Sequence, residues 1–333
     1  MTSEVSRRAR EFVAEHLPEA RGLGTALAER IEDPEAFVAV LREGLERIGD
    51  EPYAAEQERV APGSGLVLGV RQPLIDAVAA QLRQPLSESS AGSALWLAQR
   101  LFSGPEREVR MFSHVPLDRS LPEDPERSWQ LMRRLARAAG DWISVDSLAD
   151  LYALGILYEQ VRWAEIEQLA YSDSRWERRL VGSTIARLPY HLPAHRRREL
   201  ARLPALMLVK SLIGDSEPDV QKSLSWALRS WHAADPRGVE SVLRDEAKVA
   251  AANDDGQRAW VVRDALTLPG LDSALVAQLR SRLAGIQRRA GAPSTSTAGA
   301  VSAAFMSAAH GADLADRAVR EQGARQEEAG RAR

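Results

Sequence analysis

Apolar residues recur at intervals of three and four along most of the chain, as in Phe37, Val38, Leu41, Leu45 and Ile48, in Leu131 and Leu135, and in Leu148, Leu151 and Leu154. This spacing keeps one face of an α-helix apolar. Asp-Pro pairs at Asp33-Pro34, Asp124-Pro125 and Asp235-Pro236 read as helix starts, because Asp can cap free N–H groups and Pro fits the first turn. No alternating run bounded by hairpin residues interrupts the pattern, so an all-α fold with almost no sheet is expected.

From about residue 70 the predicted helices are short and fall in pairs: Pro73–Arg83 with Ser90–Phe102, Glu126–Ala139 with Ser144–Leu157, and Trp163–Ala170 with Ser174–Leu188. Leu203–Ile213 with Glu217–Trp231 follows, then Arg237–Ala250, Gln257–Leu266 and Ser273–Arg288. Two helices every forty or so residues is the period of HEAT-like arrays, in which each pair buries its apolar face only by stacking on its neighbours. The expected architecture is therefore a HEAT-like solenoid, an α-α superhelix with a concave groove, and a compact helical bundle is the competing one. Pro52, Pro62, Gly63, Gly65 and Gly69 mark Glu51–Gly69 as a connection. The small, polar run Ala292–Gly299 reads as a flexible linker to a weakly helical or disordered end. These marks divide the chain into an N-terminal helical segment (1–60), a repeat domain (61–290) and a tail (291–333).

Composition narrows the function classes. The absence of Cys excludes disulfides, thiolate nucleophiles and Cys-ligated zinc. No apolar run of signal-peptide or membrane-spanning character appears, so a soluble, cytoplasmic protein is expected. The net charge of −3 would disfavour a polyanionic partner if it were evenly spread. It is not: Glu11–Glu58 holds thirteen acidic residues against four Arg, whereas Arg175–Arg202 holds eight Arg against two Glu. Such asymmetry can create a local positive field on an acidic protein, although Arg-rich helices are also common as solvated faces.

Three clusters join aromatic and charged side chains. In Asp141–Asp146, Trp142 and Asp146 are four apart and share a face if both are helical; alternatively Ser144 caps the helix and Asp146 sits in its first turn. Ser172–Arg179 reads as a capped helix start carrying Trp176 and the pair Arg178-Arg179. In Asp219–Trp231, Val220, Leu224 and Leu228 mark a buried stripe while Lys222, Trp226 and Arg229 lie on another, a pattern suited to something flat or anionic. Trp142, Arg179 and Trp226 are each roughly one helix pair apart, and equivalent positions of successive repeats line one face of a solenoid.

Trp142-x-x-x-Asp146, Trp176-x-x-Arg179 and the run from Val220-Gln221-Lys222 through Trp226 to Arg229 resemble, in order and spacing, signature segments of the bacterial AlkD-like DNA alkylation repair glycosylases. Gly69-Val70-Arg71-Gln72-Pro73 and Pro105-Glu106-Arg107-Glu108 resemble a turn and a helix start of the same family, and the resemblance spans about residues 65 to 270. The chain departs from the family in its long N-terminal segment, its tail and the apolar Ile143.

The resemblance implies excision of purines alkylated at N3 or N7 from double-stranded DNA, by hydrolysis of the N-glycosidic bond, without base flipping and without a cofactor. It implies Asp146 as the catalytic carboxylate, with Trp142 and Trp226 holding the lesion's sugar and backbone, Arg179 gripping a phosphate, and Arg178, Arg187, Lys222 and Arg229 as further DNA contacts. A monomer is expected. His191 and His195 have ligand-pair spacing, but Pro193 between them argues for a loop and no third ligand is evident, so no metal site is expected. The alternatives are a HEAT-like protein that recognises DNA structure without chemistry, and a protein–protein scaffold.

Overall fold

The computed structural model describes residues 2–305. Among them sixteen α-helices are delimited, joined by short turns and three 3-10 segments, and the only β-pairing is an isolated parallel bridge between Leu66 and Glu106. No helix among the described residues is long and apolar enough to cross a membrane.

The N-terminal helices are α1 (Thr2–Ala28), α2 (Pro34–Arg47), α3 (Glu51–Val60) and α4 (Gln72–Glu88). After them come α5 (Ala91–Phe102), α6 (Arg107–Met111) and α7 (His114–Ser120). The remainder form pairs: α8 (Pro125–Ala138) with α9 (Trp142–Tyr158), α10 (Trp163–Leu169) with α11 (Arg175–Arg187), and α12 (Ala205–Leu212) with α13 (Pro218–Trp231). The last are α14 (Pro236–Asn253) with α15 (Gly256–Ala265), and α16 (Ser273–Arg282).

The expected periodicity has a direct counterpart in packing. Helices α2, α6, α9, α11, α13 and α15 lie side by side in one row, each touching the next. In the second row α5 packs on α8, α12 on α14 and α14 on α16. The apolar stripes face inward between the rows and form a core running from Ala98 to Ala298, with a second core from Ala20 to Phe112 uniting α1, α2, α4 and α5. The chain is thus an all-helical repeat stack, as its period predicts.

The repeats are also joined by recurring polar contacts. Arg110 of α6 donates to the carbonyls of Gly104 and Pro105 ahead of its own helix, and reaches Asp141 at the head of α9 at 3.5 Å. Arg178 of α11 does the same one step along, donating to the Ser172 and Asp173 carbonyls at 2.8 and 3.0 Å and to Asp215, ahead of α13, at 2.7 Å. Each arginine satisfies carbonyls and pairs with a buried acid at a helix junction.

Two expectations are corrected. Glu51–Gly69 is not wholly a connection, because α3 occupies its first half. Asp50 accepts a hydrogen bond from the Tyr53 amide and Pro52 falls in the first turn, where proline starts a helix rather than breaking one. The stretch 292–299 is not a free linker either. The Thr295 amide donates to the Gly214 carbonyl at 2.8 Å, its hydroxyl donates to Asp255 at 2.5 Å, and Arg258 donates to its carbonyl at 2.7 Å. Small polar residues suit this path because Ser296 and Ala298 are buried against the stack, and helical turns follow over 297–305. The expected end of the tail, 306–333, lies outside the described residues.

Near the N-terminal end of the stack, Gly69 adopts a left-handed φ of +75°, and a Cβ there would stand 2.5 Å from the Asp50 carbonyl oxygen. The buried Glu108 accepts hydrogen bonds from the Leu68 and Gly69 amides at 3.0 and 2.9 Å. The two weaker resemblance segments, Gly69–Pro73 and Pro105–Glu108, therefore meet in space to hold one turn.

Candidate functional site

The α9 segment starts at Trp142 because Asp141, not Ser144, is the N-cap. Its carboxylate accepts from the Ile143 and Ser144 amides at 3.0 and 2.9 Å and from the Ser144 hydroxyl at 2.8 Å. Trp142 and Asp146 are then both helical, one turn apart on the same face, which settles the alternative left open above.

Asp146 faces the neighbouring helix of its row. Arg179 of α11 grips it with two hydrogen bonds, Nη2 to Oδ2 at 2.7 Å and Nε to Oδ1 at 3.1 Å, and Ser183, one turn further along α11, donates to Oδ1 at 2.6 Å. The third guanidinium nitrogen of Arg179 donates to the Asp219 carbonyl at the start of α13 at 2.8 Å. The same guanidinium lies 5.8 Å from the centre of the Trp142 ring. One arginine thus ties together three successive helices of the row, and its side chain is only 7% exposed against 15% for Asp146.

A second set of contacts continues the line by one helical turn. Asp150, four residues beyond Asp146, lies 3.8 Å from Arg187 and accepts from the His191 ring at 3.1 Å. Arg187 in turn covers the ring of Trp226 on α13 at 5.1 Å. Burial by itself would raise the Asp150 carboxyl, but the hydrogen bond with His191 and the charges of His191, Arg187 and His114 outweigh it and hold the group below the usual carboxylate range.

The sequence-derived candidates separate on this geometry. Trp142, Asp146, Arg179, Arg187 and Trp226 gather on adjacent helices of one row. Lys222 is exposed, and no described residue pairs with it. Arg229 is tied to α15, where it pairs with Asp264, whose carboxylate also accepts from Ser225 at 2.6 Å. Arg178 is bound into the Asp215 junction instead of standing free, so the two neighbouring arginines of α11 divide their work: Arg179 serves Asp146 and Arg178 serves the repeat contact. Trp176 packs against the core beneath the Arg175 guanidinium.

Ser183, Asp150 and the Asp219 carbonyl escaped the sequence reading. Ser183 and Asp150 lie four residues beyond Arg179 and Asp146 respectively, so extending each motif by one helical turn would have found both. Among the described residues, no group of three or more His, Cys, Asp or Glu side chains is arranged to hold a metal ion. What the arrangement offers is a carboxylate fixed in orientation by Arg179 and Ser183, with the Trp142 indole beside the same guanidinium and the Trp226 indole beneath Arg187 on the same row of helices.

A solved structure described as "Predicted DNA alkylation repair enzyme from Enterococcus faecalis" is similar to this chain with a TM-score of 0.45 and 18% sequence identity, over 59% of this chain and 89% of that one. No curated protein sequence matches. The family model described as DNA alkylation repair enzyme matches residues 41–268, the greater part of the chain and all of the row from α6 to α15. The chain belongs to the DNA alkylation repair enzyme family.

Proposed function

We propose that the protein is a DNA glycosylase that releases N3- or N7-alkylated purines from duplex DNA by hydrolysis of the N-glycosidic bond. The observation that carries this reading is the Asp146 carboxylate, locked by Arg179 and Ser183 on a row of helices that also carries Trp142 and Trp226.

Alkylation at N3 or N7 leaves the base cationic, so it departs as a neutral molecule and needs no general acid. When the C1′–N bond breaks, the electron pair goes to the base and positive charge develops on the deoxyribose. A carboxylate already fixed nearby stabilises that charge without reorganising, which favours the transition state over the ground state. Water then adds to C1′, its proton passing to Asp146 or to solvent, and the products are the free alkylated base and an abasic site. The indole faces of Trp142 and Trp226 attract a cationic nucleotide and shield it from water.

In this scheme Arg179 is an orienting group for Asp146. Its guanidinium is nearly saturated by protein acceptors, and contact with the DNA backbone falls to Arg187 and Lys222, with Arg229 at the margin. The row of helices α9, α11 and α13 would form the wall against which the damaged strand lies, acting on the lesion from the backbone side without extruding the base.

The test is release of 7-methylguanine and 3-methyladenine from duplex DNA, with strand cleavage at the abasic site in mild alkali. Wild type should release base, and Asp146→Asn should lower the rate by about a hundredfold or more while duplex binding persists. A wild-type protein that binds methylated duplex yet releases no base would overturn the enzymatic reading and leave a non-catalytic DNA-binding one.

A further inference from the structure

Most junctions between successive helix pairs are short. Four residues, 159–162, separate α9 from α10, and four, 232–235, separate α13 from α14. Between α11 and α12 the chain instead runs through seventeen residues, 188–204, folded as the 3-10 segments Leu188–His191 and Ala194–Arg202. The expansion is anchored rather than loose: Leu188 and Leu200 are buried in the core, and Leu192 and Leu203 pack against it. Held between these anchors is the run His195-Arg196-Arg197-Arg198-Glu199, followed by Arg202.

Four arginines face a single acid there. Arg196 pairs with Glu199 at 3.0 Å, Arg197 donates to the Leu192 carbonyl, and Arg202 donates to the Glu199 carbonyl. Arg198 is exposed and unpaired among the described residues. On a chain whose net charge is −3, this is a concentrated positive patch with little internal compensation.

Its position gives it meaning. His191, at the root of the expansion, contacts Asp150, which is one helical turn beyond Asp146 on α9. Asp150 also neighbours Arg187, which covers Trp226. The basic segment therefore emerges at the edge of the row that carries the candidate site, with Tyr190, 61% exposed, at the boundary. Fixing a polar surface segment carries a cost in chain entropy, and here leucine anchors supply the order while the arginines stay at the surface.

We propose that residues 194–202 form a second phosphate-binding element that grips the DNA backbone outside the lesion, supplying affinity for duplex DNA whether or not it is damaged. The inference rests on the DNA-directed reading of the family site above, but not on base excision. Arginine forks suit phosphate oxygens, and each phosphate neutralised releases counterions, so the contact has a measurable salt signature.

The test uses the full chain and an undamaged duplex, with binding followed by fluorescence anisotropy across a salt series. The triple variant Arg196→Ala, Arg198→Ala, Arg202→Ala should bind about ten- to a hundredfold more weakly near physiological salt, and its slope of log affinity against log salt should fall by about two to three. Arg197 is kept because it holds the Leu192 carbonyl. A matched triple, Arg196→Lys, Arg198→Lys, Arg202→Lys, should retain most of the slope, which separates lost charge from lost folding. A control that removes the same charge from the other row, Arg237→Ala, Arg280→Ala, Arg282→Ala, should leave the slope as it is. An unchanged slope in the first variant, an equal fall in the control, or a wild type that does not bind undamaged duplex would each overturn the inference. A wild type that excises no base while the first variant shows the reduced slope would defeat the glycosylase reading and leave this element standing.

Discussion

Arg179 and Asp146 are joined by two parallel hydrogen bonds, 2.7 and 3.1 Å, across the interface between α11 and α9, with little of either side chain reaching solvent. A pair this sheltered depends on both members, since removing one leaves the other charge desolvated and alone. Arg179→Ala should therefore lower unfolding free energy by about 3 kcal/mol, measured by urea denaturation, and should abolish base release. Arg179→Lys keeps the charge but not the fork, and should recover part of the stability without restoring the rate. An alanine variant as stable as wild type would show that the pair does not hold these helices together.

Ser183 touches the same carboxylate and tests a narrower point. Its hydroxyl donates to Asp146 Oδ1 at 2.6 Å, so it fixes which way the carboxylate faces. Hydrogen bonds to charged groups contribute about 1.5–3 kcal/mol, and a loss near the lower figure corresponds to about tenfold in rate. Ser183→Ala should reduce kcat by about that factor and leave KM close to wild type. A change confined to KM would assign Ser183 to substrate binding instead.

Arg178 and Lys222 should respond in opposite ways, although the sequence suggests the same DNA-contact role for both. Arg178 is consumed by Asp215 and two carbonyls at a repeat junction, and Asp215 is almost fully buried, so Arg178→Ala should cost about 3 kcal/mol of stability. Lys222 is exposed, so Lys222→Ala should leave the melting temperature unchanged, weaken duplex binding and reduce the salt slope by about one. Thermal melts alongside anisotropy titrations decide it; stable Arg178→Ala protein with impaired DNA binding would reverse the assignment.

That contrast marks how far the sequence could be read. Helical periodicity and the forty-residue spacing carried the repeat stack, because both reflect apolar burial that every helix must satisfy locally. Trp142, Arg179 and Trp226 do fall on neighbouring helices of one row, but not at equivalent turns: Arg179 meets the Trp142 ring and the Asp219 carbonyl, whereas Trp226, seven residues beyond Asp219, meets Arg187. The partners of each charge were not legible. Adjacent Arg178 and Arg179 differ by one step around the helix, which sends them to different neighbours, and the acids they meet come from residues 33 and 37 positions away. Composition misled in two places for the same reason: Pro52 and the small residues around Thr295 look like breakers and linkers until their tertiary partners are known.

Gly182 sits between Arg179 and Ser183 on the face of α11 that meets α13. A Cβ added there would come within 2.9 Å of the Ser223 backbone carbonyl carbon and closer still to its hydroxyl, so the two helices would have to separate. Alanine in place of glycine inside a helix is ordinarily favourable by about 1 kcal/mol, whereas overpacking against backbone costs about 1–3 kcal/mol. The clash should win, because the obstacle includes main chain that cannot rotate away. Gly182→Ala should lower the melting temperature by several degrees and slow base release, since α11 also carries the Arg179 bridge to Asp219. A raised melting temperature would mean that the helices can part freely.

The pH dependence of stability should carry the signature of Asp150. Its carboxyl is held below the usual range because the His191 hydrogen bond and neighbouring cations outweigh burial, so the folded state binds the proton less readily than the unfolded chain does. The stabilisation is therefore fully present above the ordinary carboxylate value of about 3.9 and is lost as pH falls through the lowered folded value. Asp150→Asn removes it at every pH. Wild type should accordingly be more stable than Asp150→Asn at neutral pH, and the gap should close on acidification below about pH 4. Urea unfolding at a series of pH values measures that gap directly, and a gap that widened toward acid would mean that burial, not the His191 and Arg187 contacts, governs this carboxyl.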